Sequence, residues 1–171
     1  MSGKEPSRIL VVDDEKSMRE FLDIMLTEEG YEVNFAEDGE EACQILEKTP
    51  FDLIVTDIRM RGIDGIGVLR KAKEISPDAM VVLISAYATA ETAVEAMKEG
   101  AYDYVPKPFN VLEFKRIVRD ALSARKSPDT REEDDSRKRY HFDCLVGESP
   151  QMKRVYDLIR RVARTKTNVL V

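Results

Sequence analysis

Several acidic residues of this chain directly follow apolar runs, at the points where strands of a sheet would end. Asp13 and Asp14 follow the run Ile9–Val12, and Asp57 follows the run Leu53–Thr56. If these runs are neighbouring parallel strands, their carboxyl ends bring three mutually repelling carboxylates together. A hard divalent cation that prefers oxygen ligands suits such a cluster. The pattern therefore predicts a metal site beside an aspartate that acts as a nucleophile.

Polar residues follow later apolar runs in the same way. Ser85 follows the run Val81–Ile84, and Lys107-Pro108 follows a run that contains Tyr104. Taken singly, each feature has an ordinary structural explanation: an acidic pair caps a helix, a serine lies in a loop, Lys-Pro forms a turn, and a tyrosine packs in a strand. Their agreement in position at successive strand ends favours a functional site.

The elements that must position these residues are visible as hydrophobic patterns. Three short continuous apolar runs indicate central parallel strands, the alternating segment 31–35 indicates a strand nearer an edge, and 101–105 is a fifth candidate. Helical stripes lie between them, at Met18–Leu26, Ala42–Leu46, Val68–Ala72, Thr89–Met97 and Phe114–Leu122. This alternation predicts an α/β fold, a doubly wound five-stranded parallel sheet with five helices. The flavodoxin-like order 2-1-3-4-5 is carried over from known folds of this kind, which bind ligands beyond the carboxyl ends of their strands.

Composition narrows the class of protein. Charged residues make up 35% of the 171 residues, and residues 137–171 have nine Lys or Arg against three Asp or Glu, so that the preceding part has a net charge of −12. An acidic module of this kind argues against nucleic-acid binding by residues 1–136. Two cysteines and no secretory signal or transmembrane stretch predict a cytoplasmic protein without disulfides or membrane contact. Cys43, within a helical stripe, is predicted to be a buried thiol.

The polar segment after the fifth helix leaves two interpretations open. Pro128 is expected to end that helix, and residues 130–140 have capping-box spacing and acid–base pairs four residues apart but no apolar stripe. A short solvated helix and a flexible linker both fit. Ser149-Pro150 then predicts the start of an amphipathic helix. The strand-like run 168–171, in which the sequence stops, favours a fragment of a longer protein over a natural short strand.

The order and spacing of Asp13-Asp14, Asp57, Ser85, Tyr104 and Lys107-Pro108 resemble the receiver domain of bacterial response regulators, over about residues 7–124. Residues 145–171 are similar to the entry of the AAA+ ATPase domain in sigma-54-dependent activators of the nitrogen-regulation and C4-dicarboxylate type. The resemblance divides the chain into a receiver domain at 1–124, a helical linker at 125–144 and a truncated start of the ATPase domain at 145–171.

The resemblance implies a role for each acidic residue. Asp57 is the expected acceptor of a phosphoryl group from a sensor histidine kinase, through attack of its carboxylate on phosphorus. The expected cofactor is Mg²⁺, bound directly by Asp14, Asp57 and the backbone carbonyl of Arg59, and by Asp13 through water. Such an ion offsets the charge that builds on the transferring group.

The resemblance also implies how phosphorylation is registered. Lys107 is expected to pair with Asp57 and then with the phosphoryl oxygens, and its bond to Pro108 is expected to be cis. Ser85 is expected to donate its hydroxyl to the phosphoryl group, while Tyr104 turns inward. A homodimer is expected, and the full-length parent is expected to act on RNA polymerase carrying sigma-54 and on DNA. Since the chain has no phosphate-binding loop of the P-loop type, it is predicted to be a regulatory acceptor and not an enzyme.

Two other functions compete with this one. An aspartyl-phosphate phosphohydrolase also uses Mg²⁺ and an aspartate after a strand, but it usually carries a second aspartate two residues later, where this chain has Arg59. A pure interaction module that is never phosphorylated needs no complete acidic set. Arg59 and Tyr87, each two residues after a site residue, are expected to shape access to the phosphoryl group.

Overall fold

A computed structural model describes residues 6–126, in which five strands alternate with five helices. The strands are β1 (Arg8–Val12), β2 (Glu32–Ala36), β3 (Leu53–Asp57), β4 (Met80–Ser85) and β5 (Asp103–Pro106). The helices are α1 (Lys16–Glu28), α2 (Gly39–Lys48), α3 (Gly65–Ile75), α4 (Ala90–Lys98) and α5 (Val111–Lys126). All strand pairs are parallel and the order is β2-β1-β3-β4-β5, which confirms the predicted fold class and strand order.

The central strands are apolar throughout because helices cover both faces of the sheet. Successive side chains of a strand point to opposite faces. Leu10 and Val12 of β1 belong to the cluster that packs with α2, α3 and α4, whereas Ile9 and Val11 pack with α1 and α5. Every residue of β3 is buried. This double coverage explains why the strands appear in the sequence as continuous apolar runs and not as alternating ones.

The helix ends follow local chemistry. The carboxylates of Asp38 and Asp64 accept hydrogen bonds from the third backbone N–H of α2 and α3, and Thr89 forms a capping box with Thr92 at the start of α4. Beyond the end of α1, Gly30 has φ +84°, the left-handed conformation that glycine adopts without strain. It therefore ends α1 as the sequence predicts.

Two sequence predictions about side chains are wrong. Phe21, assigned to the apolar stripe of α1, is 42% exposed, because it lies at the margin of that stripe and faces Phe109, with ring centroids 6.4 Å apart. Cys43 is half-exposed and not buried. The buried positions of α2 include its neighbour Ala42 and Leu46, and one residue along a helix turns the side chain by about 100° away from that face.

Some predictions concern residues beyond this part of the chain. The possible helix at 130–140, the linker at 125–144 and the ATPase segment at 145–171 fall wholly or mainly outside the described residues, so that the three-part division stays a prediction. Within residues 6–126, no helix combines the length and the apolar character that crossing a membrane requires.

Candidate functional site

Strand register brings the predicted site residues to one edge of the sheet. Val12 pairs with Thr56, so that Asp13 and Asp57 follow at the same level. On the other side of β3, Asp57 pairs with Ile84, directly before Ser85. The carboxyl ends of neighbouring parallel strands therefore converge as the sequence predicts, at the place where such sheets bind ligands.

One ammonium group holds the two buried carboxylates together. Lys107 Nζ lies 2.9 Å from Asp13 Oδ2 and 2.7 Å from Asp57 Oδ1. The remaining carboxylate oxygens accept backbone hydrogen bonds: Glu15 N–H donates to Asp13 Oδ1 at 2.9 Å, and Arg59 N–H donates to Asp57 Oδ2 at 2.7 Å. All four oxygens thus have a partner, and the two aspartates are fixed in position. We call this arrangement the Asp–Lys–Asp bridge.

Burial sets the electrostatics of the bridge. Asp13 is 1% exposed and Asp57 is 7% exposed. Burial raises the pKa of Asp57, Lys107 opposes this effect through its hydrogen bond and its charge, and the nearby charge of Asp13 raises the pKa further. Burial on its own lowers the pKa of Lys107, but the two carboxylates together outweigh burial and raise that pKa. With both aspartates ionised, the bridge has one excess negative charge.

A buried arginine positions the first aspartate, and the sequence interpretation did not include it. Arg19 Nη1 donates to the backbone carbonyl of Asp13 at 2.7 Å, while its Nη2 contacts Glu37 Oε1 at 2.6 Å. Arg19 is 9% exposed, which is unusual for an arginine. A sequence signal was present: Arg19 precedes Leu22 and Leu26 by three and seven residues, and therefore lies on the buried stripe of α1.

Ser85 and Tyr104 differ in how they relate to the bridge. Ser85 is 2% exposed, its backbone carbonyl accepts from Lys107 N–H at 2.7 Å, and its Oγ accepts from Tyr87 N–H at 3.1 Å. Tyr104 is half-buried, and its hydroxyl lies 3.1 Å from Thr92 Oγ1 on α4. The structure thus brings Ser85 beside Lys107 and joins Tyr104 to α4. The Lys107–Pro108 peptide bond is cis, as predicted.

The acidic residues have the oxygen donors that a hard cation requires. Only two of the three predicted aspartates converge, however. Asp13 and Asp57 converge, whereas the side chain of Asp14 is exposed. Within residues 6–126, no group of three or more His, Cys, Asp or Glu side chains is arranged to hold a metal ion. The chemistry still fits Mg²⁺, because the donors are carboxylates and the bridge has an excess negative charge. The assignment of Asp14 and the Arg59 carbonyl as ligands stays a prediction.

Two further features adjoin the bridge. The guanidinium carbon of Arg59 lies 4.5 Å from the centroid of the Tyr87 ring, so that the cation lies over the aromatic face. A mainly apolar cavity of about 410 Å³ opens beside Lys107. Its lining residues are Met18, Phe21, Ala86, Lys107, Pro108 and Phe109.

The family model and the similar known proteins agree on one family for this chain. Residues 9–119 match the family described as the response regulator receiver domain. The chain is 35% identical over 163 residues to the transcriptional regulatory protein ZraR of Escherichia coli K12, a match that covers 95% of this chain and 36% of ZraR. The chain therefore spans about a third of the length of the curated relatives that it matches.

Solved structures agree with this match. The beryllofluoride-activated NtrC4 receiver domain dimer has a TM-score of 0.66 and 38% identity, over 69% of this chain and 98% of that one. The response regulator TrrA of Thermotoga maritima, solved in complex with Mg²⁺ and BeF, has a TM-score of 0.62 and 40% identity, over 67% and 98% of the two chains. Both likenesses cover about two thirds of this chain.

Proposed function

The chain belongs to the response regulator receiver domain family, and on this premise we propose that Asp57 accepts a phosphoryl group from a phosphohistidine of a sensor histidine kinase. The Asp–Lys–Asp bridge is the observation that carries the proposal. It holds an ionised carboxylate at the sheet edge, with a cation beside it that can pair with the incoming phosphoryl oxygens. A protein with this role is the phosphoryl acceptor of a two-component signalling system.

The transfer step is a displacement at phosphorus. An oxygen of Asp57 forms a bond to phosphorus while the bond from phosphorus to the donor imidazole nitrogen breaks. That nitrogen keeps the electron pair and takes a proton from solvent. Lys107, already 2.7 Å from Asp57 Oδ1, then pairs with the phosphoryl oxygens, and the buried Ser85 donates its hydroxyl to them.

Mg²⁺ is the proposed cofactor. Asp14, Asp57 and the backbone carbonyl of Arg59 would hold the ion directly, with Asp13 acting through water. When bound, the ion supplies positive charge that offsets the negative charge of the transferring group. The excess negative charge of the bridge supports this assignment, as does the Mg²⁺–BeF complex of the similar protein TrrA.

The physiological donor is proposed to be a protein, although a small phosphodonor can replace it in the test tube. The cavity beside Lys107 is bordered by Met18, Phe21 and Phe109, and Phe21 is 42% exposed. An apolar surface next to a charged reactive group suits a protein that must dock before it transfers the phosphoryl group. We place this reaction in the cytoplasm, in keeping with the composition.

The output is proposed to be control of transcription. Phosphorylation replaces the single negative charge of the Asp57 carboxylate by the charge of a phosphoryl group, about −1.5 to −2, and a response of Ser85 and Tyr104 would carry that change to α4 and β5. In the full-length parent, the linker would carry it further, to an ATPase that acts on RNA polymerase with sigma-54 and to a DNA-binding domain. The likeness to a transcriptional regulatory protein supports this assignment.

A homodimer is part of the proposal. The similar NtrC4 receiver domain is a dimer when activated by beryllofluoride. Sedimentation of this protein with and without beryllium fluoride is expected to show a change in mass between monomer and dimer. A monomer under both conditions would remove dimerisation from the proposal and leave phosphorylation standing.

The competing phosphohydrolase function is disfavoured by Arg59. The position two residues after Asp57 usually supplies a general acid in that class, and here its side chain is an arginine stacked on Tyr87. A guanidinium does not exchange a proton near neutral pH. Multiple turnover of a small phosphomonoester, lost in Asp57→Ala, would revive the enzymatic alternative.

The direct test is phosphorylation by a small donor. The protein is incubated with acetyl phosphate and Mg²⁺, and its intact mass is measured. One phosphoryl group is expected in the wild type, none in Asp57→Asn and none after chelation of Mg²⁺. A wild type that gains no mass, and whose tyrosine fluorescence does not respond to beryllium fluoride, would refute the acceptor function.

A further inference from the structure

The carboxylate of Glu40 reaches from the start of α2 to the loop between β3 and α3. Ile63 N–H of that loop donates to Glu40 Oε1 at 3.1 Å. The same carboxylate lies against Gly62, where a Cβ atom would collide with it. Gly62 has φ +71°, a left-handed conformation that glycine adopts readily, so the residue that suits the turn also leaves room for the carboxylate. Glu40 therefore fills a place that this loop leaves open.

The backbone of α2 also approaches this loop closely. Gly39, the first residue of α2, is buried, and a Cβ atom there would collide with the carbonyl of Ile63. The side chain of Ile63 packs against the core cluster that lies between the sheet and helices α2, α3 and α4. The outer end of the loop is thus held against α2 by a close backbone approach and by the hydrogen bond to Glu40.

The inner end of the same loop belongs to the candidate site. Arg59 N–H donates to Asp57 Oδ2 at 2.7 Å, and the carbonyl of Arg59 is a proposed ligand of Mg²⁺. Gly65 N–H donates to the carbonyl of Ile58 at 2.9 Å and so closes the loop at its base. Residues 59–64 therefore form a short closed loop, with the site at one end and the contacts with α2 at the other.

We propose that Glu40 is a positioning residue for the metal site, which holds the β3–α3 loop in the conformation that lets the Arg59 carbonyl bind Mg²⁺. The inference rests on the proposed acceptor function and its proposed cofactor. A loop that moves freely must be ordered when the ion binds, and the free energy of that ordering reduces the affinity. A loop that Glu40 already holds avoids this cost. Since Glu40 touches no reacting atom, its effect reaches the site through the loop.

The neighbours of Glu40 already supply what α2 needs at its start. Asp38 caps the helix by accepting from Glu41 N–H at 2.8 Å, and Glu41 is a second acid in the first turn. Glu40 itself is exposed, and replacement of an exposed residue that is not a cap changes stability little. Loss of the Glu40 side chain is therefore expected to release the loop while α2 and the fold stay intact.

The first test observes the loop without metal. Hydrogen exchange of backbone amides is followed by NMR in the 171-residue protein in the absence of Mg²⁺. The amides of Ile63 and Arg59 are expected to exchange about three- to tenfold faster in Glu40→Ala, because their hydrogen bonds depend on the position of the loop. The amide of Val82, in the buried strand β4, is expected to exchange at the wild-type rate.

The second test measures the affinity for Mg²⁺ by isothermal titration calorimetry. Glu40→Ala is expected to bind the ion about three- to tenfold more weakly, which corresponds to the loss of about one hydrogen bond. Phosphoryl uptake from acetyl phosphate is expected to slow at limiting Mg²⁺ and to return to the wild-type rate at saturating Mg²⁺. A defect that saturating Mg²⁺ repairs distinguishes a positioning role from a damaged acceptor.

Two substitutions of Glu40 separate its hydrogen bond from its charge. Glu40→Gln keeps an oxygen acceptor of the same reach and loses the charge, so amide exchange and Mg²⁺ affinity close to the wild type are expected. Glu40→Asp keeps the charge but is one methylene shorter, so it is expected to behave as Glu40→Ala does. Glu47→Ala is the control at the other end of α2, where this acid pairs with Lys71 at 3.0 Å, and it is expected to leave Mg²⁺ binding unchanged. Thermal unfolding of each variant measures whether the fold is retained.

A substitution in the loop tests the same contact from the other side. Gly62→Ala places a Cβ atom where the Glu40 carboxylate lies, so it is expected to displace the carboxylate and to weaken Mg²⁺ binding at least as much as Glu40→Ala. The double variant is expected to bind Mg²⁺ as Gly62→Ala does, because the contact is already lost in that single variant.

The outcomes separate the positioning role from the acceptor function. Wild-type amide exchange or wild-type Mg²⁺ affinity in Glu40→Ala would overturn the positioning role and leave the acceptor function standing, as would effects that multiply in the double variant. Wild-type affinity in Glu40→Asp with weak binding in Glu40→Gln would also overturn it, because charge would then be the cause. A wild type that binds no Mg²⁺ would overturn the cofactor and the positioning role together. A wild type that binds Mg²⁺ but takes up no phosphoryl group would overturn the acceptor function alone.

Discussion

The two halves of the sheet edge are built differently. On the β1–β3 side, buried carboxylates are joined by Lys107, and every carboxylate oxygen has a hydrogen-bond partner. On the β4–β5 side, three of the four residues of β5 are half-exposed, and α4 has Ala96 as its buried residue. We call the first half the acceptor side and the second the response side.

The difference in construction matches a difference in task. A carboxylate that attacks phosphorus must be held in one place, and a network with all its polar groups satisfied does this. A region that responds to phosphorylation needs a second arrangement of similar free energy. On the response side, the hydrogen bond that joins Tyr104 to α4 runs between its hydroxyl and that of Thr92 and is worth about 1 kcal/mol.

The largest effect is expected on the acceptor side, where one substitution should prevent phosphoryl uptake. Asp57→Asn is expected to abolish phosphoryl uptake completely, because an amide is no nucleophile toward phosphorus. Intact mass after incubation with phosphoramidate and Mg²⁺ measures this. The control is Asp120→Asn, which changes an exposed acid on α5 and is expected to be phosphorylated normally. Phosphorylation of Asp57→Asn at another residue would show that the acceptor side is wrongly placed.

Removing the central cation is expected to destabilise the fold strongly. Lys107→Met leaves two carboxylates buried without their partner and is expected to lower the free energy of unfolding by about 3 kcal/mol at neutral pH. The loss is expected to shrink in mild acid, because the pKa of Asp57 is raised and a protonated carboxyl needs no cation beside it. Urea denaturation at both pH values measures it, with the exposed Lys98→Met as control. A loss that is equal at both pH values would contradict the electrostatic origin.

Shortening a side chain is expected to destabilise the buried strand β4 much more than the exposed helix α4. Ile84→Ala in β4 removes a side chain that is 1% exposed, and a loss of about 2–5 kcal/mol in the free energy of unfolding is expected. Val94→Ala in α4, at a position that is 42% exposed, is expected to change stability by about 0.5 kcal/mol or less. Comparable losses in urea denaturation would show that α4 is packed as tightly as the core.

The free energy of unfolding is expected to depend on pH through the Asp–Lys–Asp bridge. The pKa of Asp57 is raised in the folded protein, so its favourable contribution is present below the ordinary aspartate pKa, about 3.9, and is lost as the pH rises through the folded value. Asp57→Asn removes this loss. The stability of Asp57→Asn relative to the wild type is therefore expected to rise from about pH 4 toward neutrality. A difference that is constant with pH would contradict the raised pKa.

A small effect is expected for the hydroxyl of Tyr104 on the response side. Tyr104→Phe removes the hydroxyl that bonds Thr92 and is expected to cost about 1 kcal/mol or less, because the site is partly exposed. Phosphoryl uptake on Asp57 is expected to be normal. Thermal unfolding and intact mass measure these two effects, and Tyr102→Phe is the control. A large loss of uptake in Tyr104→Phe would mean that the response side takes part in the chemistry.

The fold was predictable to a large extent because parallel strands covered on both faces leave a plain signature. The runs at β1, β3 and β4 were assigned correctly. So was the stripe of α5, on which the buried residues are Phe114, Ile117, Val118, Ala121 and Leu122. Errors occurred at element margins, as with Phe21 and Cys43. There, one step along a helix decides between core and surface, and the apolar pattern alone does not resolve that step.

The residues of the candidate site could be predicted from the sequence. Their contacts with one another were less predictable. Asp13, Asp57, Ser85 and Lys107 were chosen because each follows a strand, and parallel register brings them together. Arg19 was missed, although its place on the buried stripe of α1 was a signal for a buried cation. The attachment of Tyr104 to Thr92 and the stack of Arg59 on Tyr87 had no sequence signal, because they join residues that separate loops bring together.

The sequence by itself therefore determined the strands, the helices and the residues available for chemistry, since periodicity and residue type are local properties. The tertiary structure decided which of these residues touch. Lys107 and Asp13 lie 94 positions apart, and the folded sheet brings their charged atoms to 2.9 Å. Their contact depends on strand order and on burial, which strengthens the attraction between charges that water would otherwise screen.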